Sequence, residues 1–405
     1  MSELLGKDLL RVKLATKRAS VERRYMFYDM HIVMKDPRMM ELPPKFSALQ
    51  SVLGWGAKAV DTLADRLVFR EFENDNFNMN SIFKMNNPDI LADSAILAAL
   101  IGSCSFVYIA PDENNFPRLR VIDAMNATGV IDPITYMLTE GYAILERDKD
   151  GRPSLEAYFL PGHTIYYPAG EEPYMVQNAA PYPILVPIIY RPDATRAFGH
   201  FRISRACMDI IMEAMRTLRR ANVTAEFYSY PQRYVLGMSE DAEAFDKWSA
   251  AMSAFLRIDK DEDGEKPAVG QFQQQSMSPY MEQIRMLAGL FAGETGLTLD
   301  DLGMPSQNPS SAEAIKASHE TLRLTARKAQ RTFGAGLLNV GYLAACVRDD
   351  DAYYRSEVYE TKAVWEPIFE PDVSQLSGVG DAINKIQIAF PDYFDEKKLR
   401  DLTGI

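Results

Sequence analysis

Apolar and polar positions alternate with different periods along this chain, and the period assigns the elements. Residues 1–30 follow helical spacing, with Arg11, Lys13, Lys17, Arg18, Arg23 and Arg24 forming what reads as a solvated basic face. Pro37, Pro43 and Pro44 then break the chain. A second helix is predicted over 47–68, where Val52, Trp55, Ala59, Leu63 and Leu67 make one stripe. A third helix, 88–100, stops before Gly102. From 104 to 200 short β-rich runs alternate with turns: 106–109, 119–122, 142–145, 157–160, 164–167 and 186–190. Asp150-Gly151 and Pro161-Gly162 are turn signals between them. Strand and helix do not alternate here, which points to an antiparallel β unit and away from a parallel nucleotide-binding sheet.

Helical spacing returns at 203–227, with Ile203, Cys207, Ile210, Ala214, Leu218, Ala221 and Ala225 on the apolar stripe and Asp209, Glu213, Arg216 and Arg220 opposite. A strand at 233–236, a helix at 240–256, an acidic stretch at 259–265 and an extended run at 269–272 follow. The next helix, 279–293, carries Tyr280, Ile284, Leu287 and Phe291. Residues 297–309 have the texture of a loop, longer than the 2–8 residues that usually join two helices. Ser310-Ser311-Ala312-Glu313 is a capping box. Behind it two heptad-spaced rows run side by side: Ala312, His319, Ala326, Phe333 and Val340, and Ile315, Leu322, Ala329, Gly336 and Leu343. They predict a helix of about 55 Å, with Gly334, Gly336 and Gly341 as bend points. Two such rows exceed what one intrachain contact needs, so part of them is expected to meet a neighbouring subunit. The acid-rich remainder ends in short helical runs at 382–390 and 396–402.

Composition narrows the function. The chain has 405 residues, 47% hydrophobic and 25% charged, which is globular. Lys plus Arg is 44 and Asp plus Glu is 56, a net charge of −12. That disfavours a protein that wraps nucleic acid by neutralising phosphates, without excluding one that lets nucleic acid pass without holding it. Cys104, Cys207 and Cys346 are scattered and form neither a disulfide framework nor a metal pair. The uncharged run 94–110 is shorter than the roughly 20 residues of a membrane span; it reads as a buried helix ending at Gly102, then a buried strand. The N-terminus lacks the apolar core of a secretory signal.

Enzyme motifs are missing. No GxxxxGK[ST], GxGxxG, GxSxG or HExxH occurs, and His31, His163, His200 and His319 share no metal-ligand spacing. Residues 259–264 imitate the start of a calcium loop, but the twelfth position, which needs a bidentate carboxylate, is Gly270. Neither a metal nor a cofactor is expected.

The order of these features resembles the portal proteins of long-tailed bacteriophages, in the branch common among phages of Gram-positive hosts. The segments that carry it are 231–237, 266–272 and 310–317, beginning Pro231-Gln232-Arg233, Lys266-Pro267-Ala268 and Ser310-Ser311-Ala312. The resemblance implies an α+β portal fold: a mainly helical stem, a long helix leading to the crown, an antiparallel β-rich wing and a small α/β clip. The wing would be 1–202, the stem helices 203–228 and 278–296, the clip 229–277, the tunnel loop 297–309 and the long helix 310–348. Residues 349–405 would return a strand to the wing and form a short crown. A ring, dodecameric in the family, would stand at one capsid vertex. Double-stranded DNA would cross its channel without sequence specificity, and the ring would meet the terminase large subunit, a head–tail adaptor and the major capsid protein, with no membrane involved. Asp300, Asp301, Gln307 and Asn308 would face DNA. Arg216, Arg219, Arg220, Glu282 and Arg285 would lie on the channel wall or between subunits. Asp259, Asp261, Asp263, Val269 and Phe272 would form the clip's assembly surface, with 269–272 as an edge strand shared between subunits. The alternative is another multimeric head protein with no DNA channel.

Overall fold

The computed structural model describes residues 6–32, 51–112, 116–229, 233–236, 268–271, 276–304, 317–369 and 373–390. These fall into two compact units. The first comprises Met1–His31, Gly54–Met208 and Ala292–Ile405, the second Ile32–Leu53 and Asp209–Phe291.

In the first unit α1 (Lys7–Tyr28) and α2 (Trp55–Ala64) precede β1 (Phe69–Glu73), α3 (Met79–Met85) and α4 (Pro88–Gly102). Pro88 opens α4 where its missing N–H costs nothing. Leu91, Ala95, Ile96, Ala99 and Leu100 are among the helix's enclosed residues, while Asp89, Ile90, Asp93 and Ser94 stay exposed. Eight strands follow: β2 (Cys104–Pro111), β3 (Pro117–Asp123), β4 (Ala127–Ile131), β5 (Leu138–Arg147), β6 (Pro153–Leu160), β7 (His163–Pro168), β8 (Tyr174–Gln177) and β9 (Leu185–Ile189). They make two antiparallel sheets, one of order β3-β2-β9 and one of order β4-β5-β6-β7-β8. Gly151 and Gly162, both at positive φ, turn the chain where Asp150-Gly151 and Pro161-Gly162 predict it. Tyr108 of β2 and Tyr166 of β7 join the two sheets through a buried contact of their hydroxyls at 2.7 Å.

The basic face of α1 is not wholly solvated. Leu10, Leu14, Val21 and Phe27 are buried, but so is Arg24. Its guanidinium lies 3.4 Å from the centre of the Phe201 ring and Nη1 donates to the Ser20 carbonyl. Burial pulls its pKa down to about 10. Lys13 donates to the Gly129 carbonyl of β4 at 2.7 Å.

The long helix is α7 (Glu320–Asp349); its expected start at the capping box lies outside the described residues. Leu322, Ala326, Ala329, Phe333, Gly336, Leu337, Val340 and Leu343 are all buried in the single chain. The described heptad positions from Leu322 to Leu343 are therefore used inside the subunit, whereas Ala312 and Ile315 lie outside the described residues. The reason is that α7 is enclosed on several sides, by β9, α3, β2 and β12 (Lys362–Trp365). Its glycines do not interrupt it. A Cβ on Gly336 would stand 2.9 Å from Ile188 Cδ1, and one on Gly341 2.8 Å from Met79 Sδ, so these positions let β9 and α3 come close.

β12 returns to pair antiparallel with β1, Phe69 opposite Trp365. Phe69, Phe72, Phe83 and Trp365 pack there with ring centroids 5.0–5.7 Å apart. This joins residues nearly 300 positions apart. The unit's last described element is α8 (Val373–Ala389).

The second unit holds most of α5 (Arg205–Ser229) and α6 (Ser278–Thr295), with a two-stranded antiparallel sheet of β10 (Arg233–Leu236) and β11 (Ala268–Gln271).

Candidate functional site

The described residues that the sequence singles out for the stem and the tunnel loop lie on α5, on α6 and in the turn that follows α6 in the chain. On α5, Ile211, Ala214, Met215 and Ala221 are buried, with Ile211 rather than Ile210 on the enclosed stripe. Arg216 Nη1 donates to Glu213 Oε2 at 3.1 Å, one helical turn away. Arg219 is half-buried, and its Nε has no hydrogen-bond partner among the described residues. Arg220 is exposed. These three arginines thus have three different environments. Thr224 Oγ1 and Tyr280 Oη, 3.1 Å apart, connect α5 to α6, and Asn222 Nδ2 donates to Ser51 Oγ.

α6 has two unlike faces. Ile284, Leu287, Ala288 and Phe291 are buried. Glu282 and Arg285 lie on the other side, exposed, together with Met281 at 62%, Met286 at 58% and Leu290 at 54% exposure. Gly289 and Gly293 share that side, where an added Cβ would meet nothing within 4 Å. An exposed apolar and small-residue face of this kind is what a helix keeps for a partner.

The turn after α6 is built, not slack. Gly296 at φ +70 ends the helix. Thr298 and Asp301 then cap each other: Thr298 N and Oγ1 donate to Asp301 Oδ2 at 2.9 Å, and Asp301 N donates to Thr298 Oγ1 at 3.2 Å. Leu297 and Leu302 are buried beneath. Asp301 Oδ2 is also 3.8 Å from His319 Nδ1. The two aspartates therefore differ. Asp300 is exposed, whereas the Asp301 carboxylate serves the local cap. Gln307 and Asn308 lie outside the described residues, as do Asp259, Asp261, Asp263 and Phe272. Val269 lies in β11, opposite Val235 of β10 within the same chain.

Sequence reasoning missed Arg202. It is 8% exposed, and its Nε donates to the Ala59 carbonyl at 3.0 Å while Nη2 donates to the Thr295 carbonyl at 2.5 Å. One guanidinium thereby fixes the end of α6 to α2. A lone Arg beside a predicted helix start has no sequence mark that separates it from a surface residue.

Among the described residues no three of His, Cys, Asp and Glu are grouped to hold a metal, and no helix is long and apolar enough to cross a membrane. The three cysteines are free and buried, and burial pushes the Cys104 thiol up to about 12 and that of Cys346 to about 11.

Compared with known proteins, the family model described as "Phage portal protein, SPP1 Gp6-like" matches residues 16–375. The chain belongs to this family of phage portal proteins. The family is one of structural proteins, not enzymes. Curated portal proteins of two mycobacterial phages agree: that of Mycobacterium phage L5 is 25% identical over 320 residues and that of phage D29 23% over 313. Each alignment takes in 72% of this chain, which spans 64% of the length of these portal relatives. Among solved structures, a chain of the virion of a native gene transfer agent particle aligns over 96% of this chain and 93% of its own, at 13% identity and TM-score 0.46. A chain of the neck of a native gene transfer agent particle, computed with C12 symmetry, aligns over 87% and 89%, at 15% identity and TM-score 0.47.

Proposed function

We propose that this chain is the subunit of a portal ring at one vertex of a phage capsid, through which double-stranded DNA enters during packaging and leaves during ejection. Family membership across residues 16–375 carries this reading. In it α5 and α6 form the stem, the segment between them the clip, and the turn at 297–304 begins the loop that approaches DNA. The ring is dodecameric. Terminase large subunit docks on the clip for packaging, a head–tail adaptor replaces it later, and the major capsid protein surrounds the wing. Assembly takes place in the host cytoplasm and the ring remains in the virion.

Two features support the reading. The exposed side of α6, with Met281, Met286, Leu290, Gly289 and Gly293, suits close packing against another subunit. The charge of −12 per chain suits a conduit. A duplex moved by a motor must not be captured, and net negative subunits repel phosphates at long range. Arg216, Arg219 and Arg220, with Glu282 and Arg285, supply local positive and negative positions for contacts between subunits. Electron microscopy of the purified protein tests the proposal: closed rings with an axial hole are expected, and a compact particle without a hole would reject it.

A further inference from the structure

A groove in the first unit is used by nothing in the reading above. It has a volume of about 520 Å³ and lies between one face of α7 and the turn that leaves β9. Pro187, Ile189, Pro192 and Ala335 give it an apolar floor, and Arg191, Lys328 and Arg331 stand on its walls. No Asp or Glu is among its lining residues. Among the described residues, none of the three cations forms an ion pair or hydrogen bond through its side chain. In a chain of net charge −12, three cations around one groove without an ion pair among the described residues are a local excess of positive charge.

The rim is also held in a costly conformation. Tyr136, at φ +57, and Arg191, at φ +50, both line the groove, and left-handed backbone is uncommon for residues of this bulk. Asp132 stabilises the turn that presents Tyr136, accepting from Ile134 N, Thr135 N and Thr135 Oγ1. Ile134, on the same turn, is 88% exposed.

We propose that this groove takes an extended acidic segment of a partner protein, with an apolar side chain between its carboxylates. The cations select carboxylates, and the floor selects the apolar group. Duplex DNA fits less well. Its backbone offers no protruding apolar side chain, and a groove of this volume holds a few side chains. All lining residues belong to one compact unit.

The test uses the purified full chain and a short fluorescent peptide, Leu-Phe flanked on both sides by Asp and Glu, with binding read by anisotropy. Saturable binding that weakens as salt rises is expected. Each exposed pair is worth up to about fivefold and reversal adds repulsion, so Lys328→Glu with Arg331→Glu is expected to weaken binding by about tenfold. Ala335→Trp keeps every charge but fills the floor, and is expected to cause a comparable loss. Circular dichroism checks that both variants remain folded; all three positions are exposed. Absence of saturable binding, or binding unchanged in both variants, would overturn the proposal. So would binding of a random-sequence duplex that is lost on double charge reversal and retained by Ala335→Trp, which would assign the surface to DNA.

Discussion

Replacing Phe333 with Ala tests whether the heptad rows of α7 belong to the subunit core or to a contact between subunits. Phe333 is 0% exposed, and its ring lies 6.1 Å from that of Tyr190, near parallel. An enclosed phenylalanine withdraws roughly 150 Å² from water. At about 25 cal/mol per Å² this is about 4 kcal/mol, inside the about 3–5 kcal/mol measured for such truncations in other cores. The neighbours cannot close the gap cheaply, because Gly334 and Gly336 already bring Ala363 and Ile188 against the helix. The loss should be seen in the isolated subunit. Urea unfolding followed by fluorescence and circular dichroism together should show the midpoint falling by about 1 M or more with m unchanged. Phe333→Leu should recover most of the loss. A variant whose subunit unfolds like wild type but which no longer forms rings would refute the reasoning and return Phe333 to an interface.

Four further outcomes are expected. Arg202→Met removes two charge-assisted bonds and leaves the Ala59 and Thr295 carbonyls buried without them, so about 3–6 kcal/mol of stability should be lost, measured by the same unfolding assay. Asp301→Ala should cost about 1 kcal/mol through the lost cap at Thr298, and faster amide exchange at residues 298–302 would report it. Asp300→Lys leaves that cap intact and adds positive charge beside the proposed channel. Packaged DNA per capsid should fall at low ionic strength and recover at higher salt, because screening acts beyond about 8 Å at physiological salt; normal filling at low salt would remove Asp300 from the wall. Tyr28 donates to Asp61 Oδ1 at 2.9 Å and its pKa is raised to about 12, first by burial and then by that bond. Because the folded value lies above the unfolded value of about 10, the stabilisation is complete below pH 10 and is lost as pH rises towards 12. Alkaline unfolding of Tyr28→Phe should have a shallower slope across that window, as measured by pH titration of the unfolding midpoint.

Elements with an uninterrupted period were legible from the amino-acid order alone. α4 and β2 emerged from the uncharged run 94–110, and α5, α6 and α7 from their apolar stripes, because burial on one side of a regular element imposes its period on the sequence. The turns at Gly151 and Gly162 were legible because positive φ selects glycine. The antiparallel nature of the β unit followed from strands too closely spaced for crossover helices. β1 escaped because a register shift between Phe69 and Glu71 puts its two buried phenylalanines three apart instead of two. β8 escaped because all four of its residues are exposed, so burial leaves no mark on them.

Tertiary structure decided the rest. Two heptad rows look like one intrachain face and one free face until α3, β2, β9 and β12 are seen to enclose the same helix. Asp300 and Asp301 are indistinguishable as neighbours in sequence, and only the fold turns one into a cap for Thr298 and leaves the other exposed. Arg24 and Lys13 read as solvated cations until Phe201 and the Gly129 carbonyl come beside them from far along the chain. Arg191 reaches the same groove as Lys328 and Arg331 only because Gly336 lets α7 settle on β9. Local periodicity records whether a residue is inside or outside, but not which distant element lies against it. Partnership between residues more than a hundred positions apart is a property of packing, and one chain's order of amino acids does not display it.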